Sequence, residues 1–205
     1  MLHAFWLIPH IQRPFSNPHT VKEHPLDVFF KSPSLHVLLH YEPYHHAPVQ
    51  WENLTHLDIA TNYRCNPPTP TVVQILSRAS LSLQECSIAI TLTLEHMQWP
   101  SSVFPHLHTL HLQFILNWQT SLTPHLLSRL CAFGDSMVLT KLKHLMVEVA
   151  GTYRPQPLLS WPFPSLVGPG CELETLGFNI NITREAIVAV LCDQPSITNL
   201  VIDPC

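Results

Sequence analysis

One recurring pattern constrains this chain more than any other feature. Apolar-x-x-apolar-x-apolar occurs as Leu54-Thr-His-Leu57-Asp-Ile59, Leu83-Gln-Glu-Cys86-Ser-Ile88 and Leu107-His-Thr-Leu110-His-Leu112. It returns as Leu142-Lys-His-Leu145-Met-Val147, Leu173-Glu-Thr-Leu176-Gly-Phe178 and Ile197-Thr-Asn-Leu200-Val-Ile202. A degenerate copy, Leu35-His-Val-Leu38, precedes them. Leucine is common, so one copy says little. Six copies that begin 24 to 35 residues apart say that the chain is built from one repeated unit.

The spacing has a physical meaning. The fourth and sixth positions lie two residues apart, so both side chains leave a strand on one face. The third and fifth then point the other way. The connections support this. Thr69-Pro70 precedes Val72, Ile75, Leu76 and Ala79, which share a helical face. Thr123-Pro124 precedes Leu126, Leu127, Leu130 and Phe133, with Gly134 as a stop. Thr183 precedes Ile187, Val190 and Leu191, and Pro195 ends that run. Strand, helix, strand in this order forces parallel neighbours joined by crossovers. Residues 91–105 and 152–170 hold several prolines among Trp99, Phe104, Trp161 and Phe163. They are expected to be extended, with the aromatics filling the core. The expected fold is α/β, a right-handed leucine-rich-repeat solenoid of about six irregular repeats with its parallel sheet on the concave face. Residues 1–32 form an irregular N-terminal segment and residues 33–205 the leucine-rich-repeat-like domain.

Composition narrows the role. Lys and Arg number 10 against 14 Asp and Glu, so there is no basic patch for a nucleic-acid backbone. Arg64, Arg78, Arg129 and Arg184 are scattered. Five glycines leave little material for a phosphate-cradling loop. No apolar run is long enough to span a membrane. The run from Met1 to Ile8 is too short for a signal-peptide core and follows no basic residue. The six cysteines show no C-x-x-C spacing, and Cys86, Cys131 and Cys192 sit in apolar runs, as buried thiols do. These features together point to an intracellular protein, cytoplasmic or nuclear.

Chemistry is harder to find. Fifteen histidines suggest a metal, but His106, His108 and His111 diverge on a strand, and His45-His46 are only adjacent. No metal and no cofactor is expected. There is no G-x-S-x-G elbow, and Glu172 with Glu174 flank a strand as solvated residues. The chain is expected not to be an enzyme. The candidate site is instead the open sheet face. Its third positions are His56, Glu85, Thr109, His144, Thr175 and Asn199; its fifth positions are Asp58, Ser87, His111, Met146, Gly177 and Val201. Strands about 4.8 Å apart make these two columns about 24 Å long, which suits a protein partner better than a small molecule.

Segments such as Trp51-Glu-Asn-Leu-Thr-His-Leu-Asp-Ile59, Ile75-Leu-Ser-Arg-Ala-Ser80, Phe104-Pro-His-Leu-His-Thr-Leu-His-Leu112 and Pro195-Ser-Ile-Thr-Asn-Leu-Val-Ile202 resemble the leucine-rich-repeat region of F-box proteins abundant in mushroom-forming fungi. The resemblance covers residues 33–205. It implies substrate recognition within a ubiquitin ligase, with the repeats holding the protein substrate. In that family an N-terminal F-box docks on a Skp1-type adaptor. Pro25-Leu-Asp-Val-Phe-Phe30 echoes only the motif's opening, and Pro9, Pro14, Pro18 and Pro25 leave no room for its three helices. An adaptor is therefore expected as a partner only if an F-box is missing from this chain. Two alternatives stand beside this one: a stand-alone scaffold, and an enzyme with an unrecognised His/Asp/Glu site.

Overall fold

The structure, a computed structural model, describes residues 5–6, 30–39, 48–59, 69–91, 99–116, 123–150, 166 and 171–202. In chain order its strands are β1 (Phe5–Trp6), β2 (Val37–Leu39), β3 (His56–Ile59), β4 (Glu85–Thr91) and β5 (Ser102–Phe104). Then follow β6 (Thr109–Ile115), β7 (Met137–Leu139), β8 (His144–Ala150), β9 (Thr175–Phe178) and β10 (Asn199–Ile202). The helices are α1 (Thr69–Ala79), α2 (Pro124–Asp135) and α3 (Arg184–Asp193). Eight strands form one sheet in the order β1-β2-β3-β4-β6-β8-β9-β10, and every pairing in it is parallel. The protein is thus an α/β fold on a parallel sheet. Each of the six motif copies supplies one strand, and strands adjacent in the sheet come from successive copies.

The register follows the motif. His56 pairs with Glu85, Glu85 with Thr109, Thr109 with His144, His144 with Thr175, and Thr175 with Asn199. One backbone device sets it. The amides of Thr55 and His56 both donate to the His36 carbonyl, at 2.8 and 3.1 Å. Gln84 and Glu85 do the same to Thr55, His108 and Thr109 to Gln84, and Lys143 and His144 to His108. Glu174 and Thr175 then donate to Lys143, and Thr198 and Asn199 to Glu174. The first acceptor, His36, belongs to the degenerate copy, so that copy shares the frame.

Burial explains the motif. Leu54, Leu83, Leu107, Leu142 and Leu173, at the first position, are all fully buried. So are the fourth and sixth positions from β3 through β9, none more than 3% exposed. They join Val72, Ile75, Leu76 and Ala79 of α1, Leu126, Leu130 and Phe133 of α2, and Val190 of α3 in one core. The helices therefore pack on the face that carries the fourth and sixth positions. Burying each leucine contributes on the order of 1.5–3 kcal/mol.

Behind the main sheet, β5 and β7 pair with each other in parallel. Residues 102–104 of the proline-bearing stretch are extended, as expected. Trp99 meets Phe133 edge-on at 4.7 Å, and Phe133 meets Phe114 at 6.1 Å, so these aromatics fill the core. Of 152–170, only Leu166, buried, is among the described residues; Trp161 and Phe163 lie outside them.

Several local expectations need correction. Thr123 and Thr183 cap their helices, accepting from Leu126 and Ala186 amides at 3.3 and 3.2 Å. Thr69 does not: it lies inside α1, and its hydroxyl donates to the Thr91 carbonyl at 3.0 Å. Gly134 is no stop, because α2 runs through it to Asp135 and Ser136 closes the helix. Cys192 is exposed rather than buried, since it turns away from the side of α3 that holds Val190. The sheet also takes in Phe5–Trp6, which pair in parallel with Leu38 and Leu39.

Candidate functional site

The face opposite the helices presents the third and fifth positions of each strand. The register sets His56, Glu85, Thr109, His144, Thr175 and Asn199 side by side as one row, with Asp58, Ser87, His111, Met146, Gly177 and Val201 as the next. Each of these residues except Gly177 is half-buried or exposed. Alternation puts them here: apolar neighbours at even positions face the core, so odd positions must face outward.

Contacts along the rows bridge neighbouring strands. His56 Nε2 lies 3.5 Å from Glu85 Oε1, while its Nδ1 shares a 2.8 Å hydrogen bond with Thr55 Oγ1. His111 Nε2 lies 3.4 Å from Glu148 Oε1. That nitrogen is shut off from solvent and forms no hydrogen bond, so the contact is electrostatic and gains ion-pair character when the imidazole is protonated. Gln113 Nε2 donates to the other oxygen of Glu148 at 3.4 Å. At the lower rim Lys143 Nζ donates to Glu174 Oε1 at 2.7 Å. This hydrogen bond and the attraction between the charges hold the Lys143 ammonium above, and the Glu174 carboxyl below, their ordinary ranges. Both side chains are solvated, so the pair adds little stability.

The chemistry changes along the rows. The β3–β8 portion carries Asp58, Glu85 and Glu148. In the fifth-position row the β8–β10 portion is apolar, while His144, Thr175 and Asn199 keep the third-position row polar. There Met146 lies over Gly177, where any Cβ would collide with the end of the methionine side chain, and Val201 flanks the same spot. Gly177 is therefore covered, the one member of the two columns that is not accessible. A side chain at 177 would push Met146 outward, so the glycine lets the thioether lie flat.

Three site residues escaped the motif. Glu148 and Gln113 occupy a seventh position, beyond the motif's last apolar residue. They are part of the face because β4, β6 and β8 each run seven residues. The signal was present in the continued alternation Leu112-Gln-Phe114 and Val147-Glu-Val149. Lys143, at the second position, is visible only once Glu174 is seen beside it.

Among the described residues no group of three His, Cys, Asp or Glu is placed to hold a metal ion. His111 faces the open side, while His45-His46 and Arg64 lie outside the described residues. Glu172 is exposed, and Glu174 is engaged by Lys143. The buried Cys86 thiol is pushed up to about 12, first by burial and then by the charge of Asp58; it is protonated and unreactive at neutral pH. Burial likewise raises Cys171, whose thiol donates to the Leu139 carbonyl at 3.0 Å. A recess of about 20 Å³ between Trp99, Phe104, Phe133 and Met137 has room for little more than a water. No described helix is long and apolar enough to cross a membrane.

No protein-family model, no curated protein and no solved structure matches this chain.

Proposed function

We propose that this chain is a non-catalytic protein-recognition module whose open sheet face holds a protein partner. The observation that carries the proposal is the register: six successive strands bring their third and fifth positions into two continuous rows, on the face the helices leave uncovered. An area about 24 Å long, with acids and imidazoles at one end and Met146 and Val201 at the other, offers both charge and apolar contact to a protein surface. The fold behind this reading is a right-handed leucine-rich-repeat solenoid. Its support is the strand order, the repeat length near ~20–29 residues of that class, and the ninth motif position. There the class favours Asn or Cys, and three of the six copies have one, as Asn62, Asn181 and Cys205, against Thr91, Ile115 and Ala150 in the others.

The resemblance to mushroom-type F-box proteins narrows the proposal to substrate recognition for a ubiquitin ligase inside the cell. In that case a Skp1-type adaptor would bind an F-box and not the residues described here. The site residues are His56, Asp58, Glu85, Ser87, Thr109, His111, His144, Met146, Thr175 and Asn199.

Photo-crosslinking tests the proposal. A benzophenone amino acid at Ser87 or Thr109 is expected to capture a discrete protein in cells, and the same group at exposed Gln74 of α1 is not. His56→Ala with Asp58→Ala should weaken the capture while the melting curve stays in place. Equal capture from both faces, or none from Ser87 and Thr109, overturns the reading.

A further inference from the structure

The open face is one-sided in charge. The third, fifth and seventh positions of the six motif copies hold no Lys or Arg. Among the described residues Asp58, Glu85 and Glu148 stand there. The chain has 10 Lys and Arg, so the bias belongs to the face and not to a shortage of cations.

The carboxylates are also held differently on the face and at its rim. At the rim Glu174 has a lysine, with Lys143 Nζ at 2.7 Å. On the face Glu85 and Glu148 meet histidines instead, His56 at 3.5 Å and His111 at 3.4 Å. The nearer nitrogen of His111 forms no hydrogen bond, so Glu148 Oε1 faces it without accepting one. All four side chains stay open, 30–48% exposed with the whole chain in place, so no described segment covers them.

The recognition reading above leaves the partner's chemistry open. Resting on that reading, we infer that the partner docks on this face with a basic protein surface. Its Lys or Arg side chains seat on Glu85 and Glu148, and His56 and His111 yield those carboxylates to them. Glu85 and Glu148 lie two strands apart across the sheet and four residues apart along it. The two cation seats are therefore about 16 Å apart. Arg suits them best, because its planar fork matches a carboxylate. Contacts of this kind choose the partner and speed its docking more than they deepen affinity. A second copy of this chain would set acid against acid, and a nucleic acid would meet the same repulsion.

The test selects random displayed peptides of about twelve residues, long enough to span both seats, on the full chain. Enriched peptides are then titrated by fluorescence anisotropy. They are expected to carry two or more Lys or Arg and to bind more weakly as salt rises from about 0.05 to 0.3 M. Glu85→Gln with Glu148→Gln should weaken them about fivefold or more, with an unchanged melting curve. Glu52→Gln with Glu185→Gln removes as much charge from exposed sites ahead of β3 and on α3, and should leave binding unaltered. If the first pair of substitutions harms folding, the peptide composition and the salt series decide. Basic peptides weakened equally by both pairs would reflect net charge alone and overturn the inference. Enriched neutral or acidic peptides that Ser87→Trp excludes would overturn it and leave the recognition reading standing. No enrichment at all, the result if more of this chain already covers the face, removes both.

Discussion

Leu110 and Leu200 hold the same motif position on β6 and β10, yet one is 0% and the other 36% exposed. Truncating each to alanine isolates depth from residue type. At Leu110, Leu→Ala removes about 1.5–3 kcal/mol of burial and leaves a cavity between the column neighbours Cys86 and Leu145. Together these bring the loss to about 3–5 kcal/mol. At Leu200 solvent already reaches the side chain, so no closed cavity forms, and the loss is about 1 kcal/mol. For a chain of this length each kcal/mol moves the melting midpoint by about 2–4 °C. Leu110→Ala should therefore melt roughly 6–20 °C lower and Leu200→Ala roughly 2–4 °C lower. Calorimetry measures both, and urea titration with unchanged slopes shows that stability alone has moved. Similar losses from the two variants would refute the claim that position in the column sets the energy.

Three further outcomes are expected. Thr123→Ala and Thr183→Ala should each lower stability by about 1 kcal/mol in urea, and Ser at either site should restore most of it, because the hydroxyl accepts an amide of the first turn. Iodoacetamide at pH about 8 should label exposed Cys192 and spare Cys86 until the chain unfolds, as peptide mass mapping would show. The raised Cys86 value also stabilises the native state fully below the unfolded thiol's about 8.5 and is lost as pH rises toward about 12. The Lys143–Glu174 pair acts between the two ordinary ranges. Its Glu174 share is present above the unfolded carboxylate range and lost as pH falls through the depressed folded value. Its Lys143 share is lost as pH rises through the elevated ammonium value. NMR titration of Lys143→Met should show the Glu174 carboxyl returning upward; an unmoved Glu174 would remove the pair as the cause.

The six-residue motif was enough to place every long strand of the sheet and to align its rows. The reason is that Leu57, Cys86, Leu110, Leu145 and Leu176 share one burial requirement, and a period of two leaves no freedom about which face their neighbours occupy. Features set by less repetitive forces were not legible. β5 and β7 are three residues each, too short for alternation to stand out, and they exist because Phe104, Met137 and Leu139 find the core behind α2. The role of Thr69 depends on Thr91, 22 residues away, which no local signal announces. Gly134 looks like a helix stop by residue type, but it is buried within α2 and so continues the helix. At the site, Glu148 was hidden by the convention of ending the motif at its sixth residue, although the alternation continued to Val149.

The doubly accepting carbonyls bear on how the chain reaches its fold. Each one fastens a strand to the strand of the preceding copy, so the loops that must close are about one repeat long. Closing loops of that size sacrifices far less chain entropy than joining distant ends, which favours quick folding despite the parallel sheet. The three seven-residue strands, β4, β6 and β8, share the longest ladders. Order would begin among them and spread outward one strand at a time, each new strand finding its acceptor already in place. The slowest-exchanging amides should then lie in the middle of the sheet, with protection falling toward β2 on one side and β10 on the other.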